Sequence, residues 1–377
     1  MGASSSLFLF LQKKHLMLNF YPGPSKIYPE VGQYMLEAFN SGILEKNHRS
    51  ADFMEMMHQT IKVFKEKFNI PAEYKVFFTS SATECWEITV QSIFHGKISF
   101  LYNGDFGNKW LNYTKSNSQV QLRNLTENEK LEIIEIAYLP EESISDLKID
   151  QDSEIIAWVA GETSNGTFSG NEAIKKLRER HPEALLITDV TSVFGGYDFD
   201  ISQADVWFAS SQKCLGLPSG LGIMVVSPEA LHAANILKEN NHYNSLLNIA
   251  ENFQKNQTHY TPNILEIYLL GKISEQVDNI SVVSGKIEQR SRMLRDFFLE
   301  HPKFSDLIVN SEVQSPTVLT MKYDGELSDL FAILKQSGII VGKGYGKWKA
   351  DTFRIANFPA IPDADFQLLM DFFKLNF

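Results

Sequence analysis

Two hydrophobic periods alternate along this chain. Short apolar runs of strand length, closed by glycine or polar residues, occur at 75–78, 98–102, 154–160, 184–187, 205–208 and 223–226. Between several of them lie segments of helical period, at 28–40, 51–68, 85–94 and 171–181. Within the second of these Phe53, Met56, Met57, Ile61, Phe64 and Phe68 form one stripe, which reads as core, the methionines filling space. Strand, helix and strand in turn predict an α/β chain with a mostly parallel sheet covered by helices.

The pattern changes after Tyr260-Thr261-Pro262-Asn263. A long helical region runs to about residue 300, and from about Ser315 the order becomes strand (318–321), helix (327–337), strand (339–341), glycine loop, strand (352–355) and helix (363–375). We place a large unit at 17–270 and a smaller α+β unit at 271–377. Residues 116–152 are charged and less regular, a peripheral excursion without a motif. The first sixteen residues fit neither unit. Met1-Gly2-Ala3-Ser4-Ser5-Ser6 matches a myristoylation pattern and Leu7-Phe8-Leu9-Phe10-Leu11 imitates a signal-peptide core. The apolar run is short, however, lysines follow it, and no small-residue cleavage site appears. We read the segment as a disordered or alternatively initiated extension, with Met17 as the start.

Composition narrows the function. A net charge of −11 argues against a nucleic-acid partner, because phosphate backbones demand a basic footprint. No run of about 20 apolar residues exists, so no membrane span is expected. The two cysteines, Cys85 and Cys214, suggest core filling in a reducing, cytoplasmic compartment rather than a disulfide framework.

The chemistry gathers around two stretches. Lys213 sits in a Gly-rich connection between two apolar strands, flanked by Ser210, Ser211, Gly216, Gly220 and Gly222, small residues that let another group approach the backbone. Most lysines are solvated. One desolvated here would have a lowered pKa and a free amine able to condense with an aldehyde. Upstream, Leu185-Leu186-Ile187-Thr188-Asp189 is a buried strand with a carboxylate at its C-terminal end, where open α/β sheets place ligands. Pyridoxal 5'-phosphate needs such a carboxylate, since its ring withdraws electrons effectively only while the pyridine nitrogen is protonated.

Asp189 with Thr191 and Ser192, followed by Ser211-Gln212-Lys213, resembles the cofactor signature of the class V, fold-type I aminotransferases, and the resemblance runs from about Asn19 to the C-terminus. It implies an α/β fold-type I transferase: a large domain with a mostly parallel seven-stranded sheet, plus a smaller C-terminal α+β domain. It implies pyridoxal 5'-phosphate as cofactor, no metal, and transamination between amino-acid and 2-oxoacid substrates, with Lys213 and Asp189 catalytic. Further cofactor contacts are implied at Ser81, Ala82 and Thr83 (the phosphate cup at a helix start), Phe106 (stacking on the ring), Thr163 (the phenolic oxygen), Thr191 and Gln212. Thr261 would cross to the cofactor phosphate of a second copy, in a homodimer with shared active sites. His48 and Arg49 would line the substrate pocket, and Arg354 would clamp the α-carboxylate through the guanidinium fork.

Two branches of the family fit. Arg354-Ile355-Ala356-Asn357-Phe358-Pro359-Ala360-Ile361-Pro362, Asn19-Phe20 through Pro24 and Lys75-Val76 resemble the phosphoserine branch. Against it, Glu84 stands where many of that branch carry an arginine. The Ser81-Ala82-Thr83-Glu84 and Ser211 to Gly216 segments look more like the alanine:glyoxylate or serine:pyruvate branch. We take phosphoserine:2-oxoglutarate transamination, a step of serine biosynthesis, as the expectation and the other branch as the alternative. A cysteine desulfurase of the same fold would need a cysteine in a distal loop, and none follows Cys214.

Overall fold

The computed structural model describes residues 17–123 and 130–377, so the expected extension at 1–16 lies outside the described residues. In chain order the strands are β1 (Leu18–Phe20), β2 (Lys75–Thr79), β3 (Lys97–Tyr102), β4 (Glu132–Ala137), β5 (Ile155–Val159), β6 (Gly161–Glu162), β7 (Thr167–Phe168), β8 (Leu185–Asp189), β9 (Val206–Ser210) and β10 (Gly222–Val226). The second unit adds β11 (Phe304–Asp306), β12 (Val318–Tyr323), β13 (Ile339–Lys343) and β14 (Thr352–Ala356).

Seven strands form one sheet in the order β2-β10-β9-β8-β5-β3-β4. Only β10 runs antiparallel to its neighbours, so the expected mostly parallel seven-stranded sheet is present. β5 and β9 are buried at every position because helices cover both faces, which is why these strands read as continuous apolar runs. The register pairs Val159 with Asp189, Asp189 with Phe208, and Gly222 with both Ser210 and Thr79. The C-terminal ends of β2, β5, β8 and β9 therefore meet along one sheet edge, where a doubly wound fold binds ligands.

The irregular excursion expected at 116–152 contains β4, an edge strand parallel to β3. Its Glu-Ile-Ile-Glu-Ile-Ala pattern is largely exposed, and that polarity hid it among the charges around it.

The other sheet has the order β1-β13-β14-β12-β11. Here the observed membership departs from the division drawn on sequence: β1, counted with the large unit, pairs in parallel with Ile339–Val341 of β13. Leu18 and Phe20 are fully buried in the second core, beside Phe298, Phe353 and Phe373. The long helical region is two helices, Ile264–Gln276 and Ile280–Leu299, separated where Asn279 caps the second by accepting from the Ser281 amide. Helix Ile280–Leu299 joins the units, with Ile280 in the large core and Leu294 and Phe298 in the small one. Both cysteines are buried and unpaired. No helix among the described residues is long and apolar enough to cross a membrane.

Candidate active site

A cavity of about 220 Å³ opens at the sheet edge just described, lined among others by Ala82, Thr83, Phe106, Thr163, Asp189, Thr191, Gln212, Lys213 and Arg354. Nine of the sequence candidates thus converge on one place. A larger cleft of about 490 Å³, between residues 143–197 and 288–316, holds none of them.

Lys213 follows β9 and is 8% exposed. Its Nζ donates to Thr163 Oγ1 and to Ser192 Oγ, both at 2.7 Å. Burial lowers its pKa to about 8, against the opposing charge of Asp189. The Tyr21 to Pro24 loop closes over the lysine. Its backbone is pinned by Ser25 N–H to Gln212 O at 3.1 Å, and at Gly23, where φ is +134°, a Cβ would stand 2.8 Å from Lys213 Cε.

Asp189 ends β8 and is 4% exposed. Oδ1 accepts from the Thr191 amide at 2.8 Å and Oδ2 from Trp86 Nε1 at 2.9 Å. Burial pushes the carboxyl up, while hydrogen bonds from Thr191 and Trp86 and the Lys213 charge pull it back toward the ionised form.

The helix Ala82–Ser92 begins earlier than its hydrophobic period implied, because Ser81 caps it by accepting from the Glu84 amide at 3.1 Å. The Ser81 hydroxyl accepts in the cap and keeps its O–H to donate; Ala82 and Thr83, in the first turn, line the cavity, and Ser81 stands just outside the lining. Glu84 sits beside the cup as a brace, its carboxylate accepting from Ser80 N and Oγ (2.7 Å each) and from Tyr243 Oη at 2.8 Å.

Phe106 opens the helix Asp105–Ser116, held by its amide's 3.1 Å bond to the buried Glu162 carboxylate. Its ring centroid lies 5.4 Å from Lys213 Nζ and 5.5 Å from the Tyr345 ring, stacked at 25°. Arg354, on β14, reaches across from the small sheet. Nε donates to Lys343 O at 2.9 Å and a terminal nitrogen to Thr163 O at 2.8 Å. The guanidinium is 4% exposed, and no carboxylate among the described residues lies within ion-pair distance of it.

Besides Ser81, three candidates fall outside the cavity of the single chain. Arg49 and Thr261 are exposed, and His48 is buried in the turn before helix Ala51–Lys67, away from the lining. The reason is geometric. Helices Ala51–Lys67 and Ile264–Gln276 run parallel, with Gln257 against Met54, Thr60 against Ile267 and Lys67 against Val277, so their N-terminal ends share one outer face. Conversely, Trp86, Lys109, Tyr21 and Tyr345 line the cavity without having been singled out. Trp86 and Lys109 each follow a candidate (Ala82, Phe106) by about one helical turn, a spacing that could have found them.

A family model for class-V aminotransferases matches residues 17–347. The chain belongs to this family. Among curated relatives, the phosphoserine aminotransferase of Rhodococcus opacus (strain B4) is 26% identical over 359 residues, 91% of this chain and 90% of the relative. Among solved structures, a phosphoserine aminotransferase from Cytophaga hutchinsonii superposes with a TM-score of 0.87 at 28% identity, covering 96% of this chain and 99% of that one. An alanine–glyoxylate aminotransferase from Nostoc sp. shares the fold, with a TM-score of 0.77 at 18% identity over 95% of this chain and 94% of its own.

Proposed function

We propose that this class-V aminotransferase acts on phosphoserine and 2-oxoglutarate. The observation that carries the reading is Arg354, a buried cation held by main-chain carbonyls and left without a carboxylate, in a chain that is similar to phosphoserine aminotransferases over nine-tenths of its length. A fixed guanidinium fork of this kind suits the α-carboxylate of an amino-acid substrate.

As a class-V aminotransferase the enzyme uses pyridoxal 5'-phosphate, whose ring takes up the negative charge left at the substrate α-carbon. The donor set fits that group: a desolvated amine, a buried carboxylate at a strand end, a helix N-terminus and an aromatic face around one cavity. Ala82, Thr83 and Gln212 would hold the phosphate, Asp189 with Thr191 the ring nitrogen, Thr163 the phenolic oxygen and Phe106 the ring face. Lys213, with a pKa near 8, sits close to neutrality and can accept and return the α-proton without a large energetic penalty. Thr163 and Ser192 orient its Nζ, and the Gly23 loop shields its stem from water.

The substrate's distal group needs further cations. Within one chain Lys109 is available at the mouth. We place a second copy over the face that carries Arg49, His48 and Thr261, so that these residues complete the partner's site. That face borders helix Val31–Ser41, whose Met35, Leu36 and Phe39 are 40%, 57% and 70% exposed, an apolar patch suited to burial in a homodimer. Two unpaired cysteines suit the cytoplasm.

The test is a titration of the holoenzyme's visible spectrum with phosphoserine, glutamate, alanine and serine. Phosphoserine and glutamate should each convert the spectrum at micromolar to millimolar concentration. A protein that turns over alanine with glyoxylate and ignores phosphoserine belongs to the alternative branch instead.

A further inference from the structure

We infer that Trp86 is a positioning residue for Asp189, fixing the carboxylate that faces the cofactor's ring nitrogen and keeping it ionised; this rests on the reading of Asp189 given above. The geometry is direct. Asp189 has one N–H donor on each oxygen, the Thr191 amide on Oδ1 and Trp86 Nε1 on Oδ2, and both donors are neutral. Lys213, the nearby cation, has its Nζ turned to Thr163 and Ser192. A carboxylate 4% exposed therefore depends for its charge on Thr191 and Trp86, with the Lys213 charge acting from a distance, and it retains lone pairs for a further partner.

Packing alone does not account for this pairing. Trp110 and Trp158 are fully buried too, and neither indole nitrogen meets a protein partner among the described residues, so burial by itself does not provide one. Trp86 stacks on Trp110 with centroids 6.1 Å apart at 11°, a contact between aromatic faces that Trp110→Phe would keep. Its helix also matters. Trp86 lies on helix Ala82–Ser92, about one turn after Ala82 and Thr83, so one rigid element presents the phosphate end of the site and the brace for the opposite end.

The sign of the effect follows from charge. A weaker Asp189 draws the proton away from the ring nitrogen, less positive charge then repels the proton at Lys213 Nζ, and that proton is held to higher pH. The experiment compares holoenzymes of wild type, Trp86→Phe, Trp86→His, Trp110→Phe and Asp189→Asn by pH titration of the bound cofactor's visible absorbance, alongside kcat and KM. In Trp86→Phe, which keeps an aromatic ring and loses the N–H, the midpoint should rise by about half a unit or more, and kcat should fall roughly tenfold to a hundredfold with KM changed less than about threefold. Trp86→His, which restores a ring N–H, should recover part of both. Asp189→Asn should move the midpoint the same way and further, and Trp110→Phe should leave it within about 0.2 units. A midpoint unmoved in Trp86→Phe while Asp189→Asn moves it overturns the inference and spares the role of Asp189. An equal shift in Trp110→Phe assigns the effect to packing and also overturns it. No shift in Asp189→Asn overturns the reading of Asp189 itself. If Trp86→Phe fails to retain cofactor, Trp86→Leu, which also lacks the N–H, takes its place under the same criteria.

Discussion

The two ends of the cavity are built differently. At the cofactor end Asp189, Lys213 and the Ala82 amide already have partners, the last on Ser210 Oγ at 2.8 Å, and all come from neighbouring strand ends of one sheet. At the substrate end Arg354 arrives from the other sheet, Tyr21 from the loop after β1, Lys109 from a helix of the large unit and Tyr345 from the loop after β13. Arg354 has no anion, and Lys109 and Tyr345 are exposed. On the function proposed above, chemistry common to every substrate is preorganised in a single rigid layer, while recognition is assembled across units and completed by what binds.

The sharpest break of this comparison is Lys213→Ala. Turnover should fall on the order of a thousandfold or more, and borohydride treatment should no longer attach cofactor to the peptide containing residue 213, read by mass spectrometry. Covalent labelling that survives would move the nucleophile elsewhere.

Arg354→Ala comes next. Losing a buried charge-assisted pair costs about 2 to 5 kcal/mol, or roughly thirtyfold to several thousandfold in kcat/KM. The loss should be similar for every amino-acid substrate, since each presents the same carboxylate, and Arg354→Lys should restore little. A loss confined to phosphoserine would put the distal group, not the α-carboxylate, at Arg354.

Arg49→Ala tests the proposal that a second copy completes the substrate end. It should lower kcat/KM for phosphoserine by about tenfold to a hundredfold and for alanine by less than about threefold, because alanine has no distal anion to lose. Mixing Arg49→Ala with Lys213→Ala chains should restore phosphoserine turnover to about a quarter of wild type, one intact site forming in each mixed dimer. Mixtures no more active than either parent would remove the shared-site arrangement.

The smallest effect concerns stability. Lys213 has a folded pKa of about 8, below its unfolded value, so below pH 8 the buried charge opposes folding fully. As pH rises from about 8 toward 10.5 the folded state gives up the proton before the unfolded one does, and stability increases. Apo wild type compared with apo Lys213→Ala should therefore gain about 1 kcal/mol between pH 8 and 9 in chemical denaturation. A flat difference would mean that the amine is solvated.

Much of the large sheet could be read from the chain because its strands are buried on both faces and its helices carry one apolar stripe. The Arg354 to Pro362 segment was legible for a reason the structure supplies. Arg290 binds Asn357 Oδ1 and the carbonyls of Phe358 and Ile361, and Phe358 is fully buried, so the pattern after Arg354 is a structural lock that holds the end of β14. At Ser81 the sequence could not separate a cap from a phosphate cup, because both use the same residue types at the same helix start.

By itself the sequence determined the elements whose signal is local: apolar runs, helical stripes, the carboxylate at a strand end and the lysine between glycines, together with their order along the chain. Only the tertiary structure decided which of these meet. Three residues of β1 carry too little periodicity to announce a strand, and pairing with β13, more than three hundred residues away, makes them part of the small sheet. Trp86 reads in sequence as one more core aromatic; its N–H acquires meaning only when the ends of helix Ala82–Ser92 and β8 are brought side by side. Arg49 and Thr261 were named from the family resemblance, and in the single chain both lie exposed just before two helices packed in parallel, since packing partners distant in sequence, not local preference, set where a helix end points.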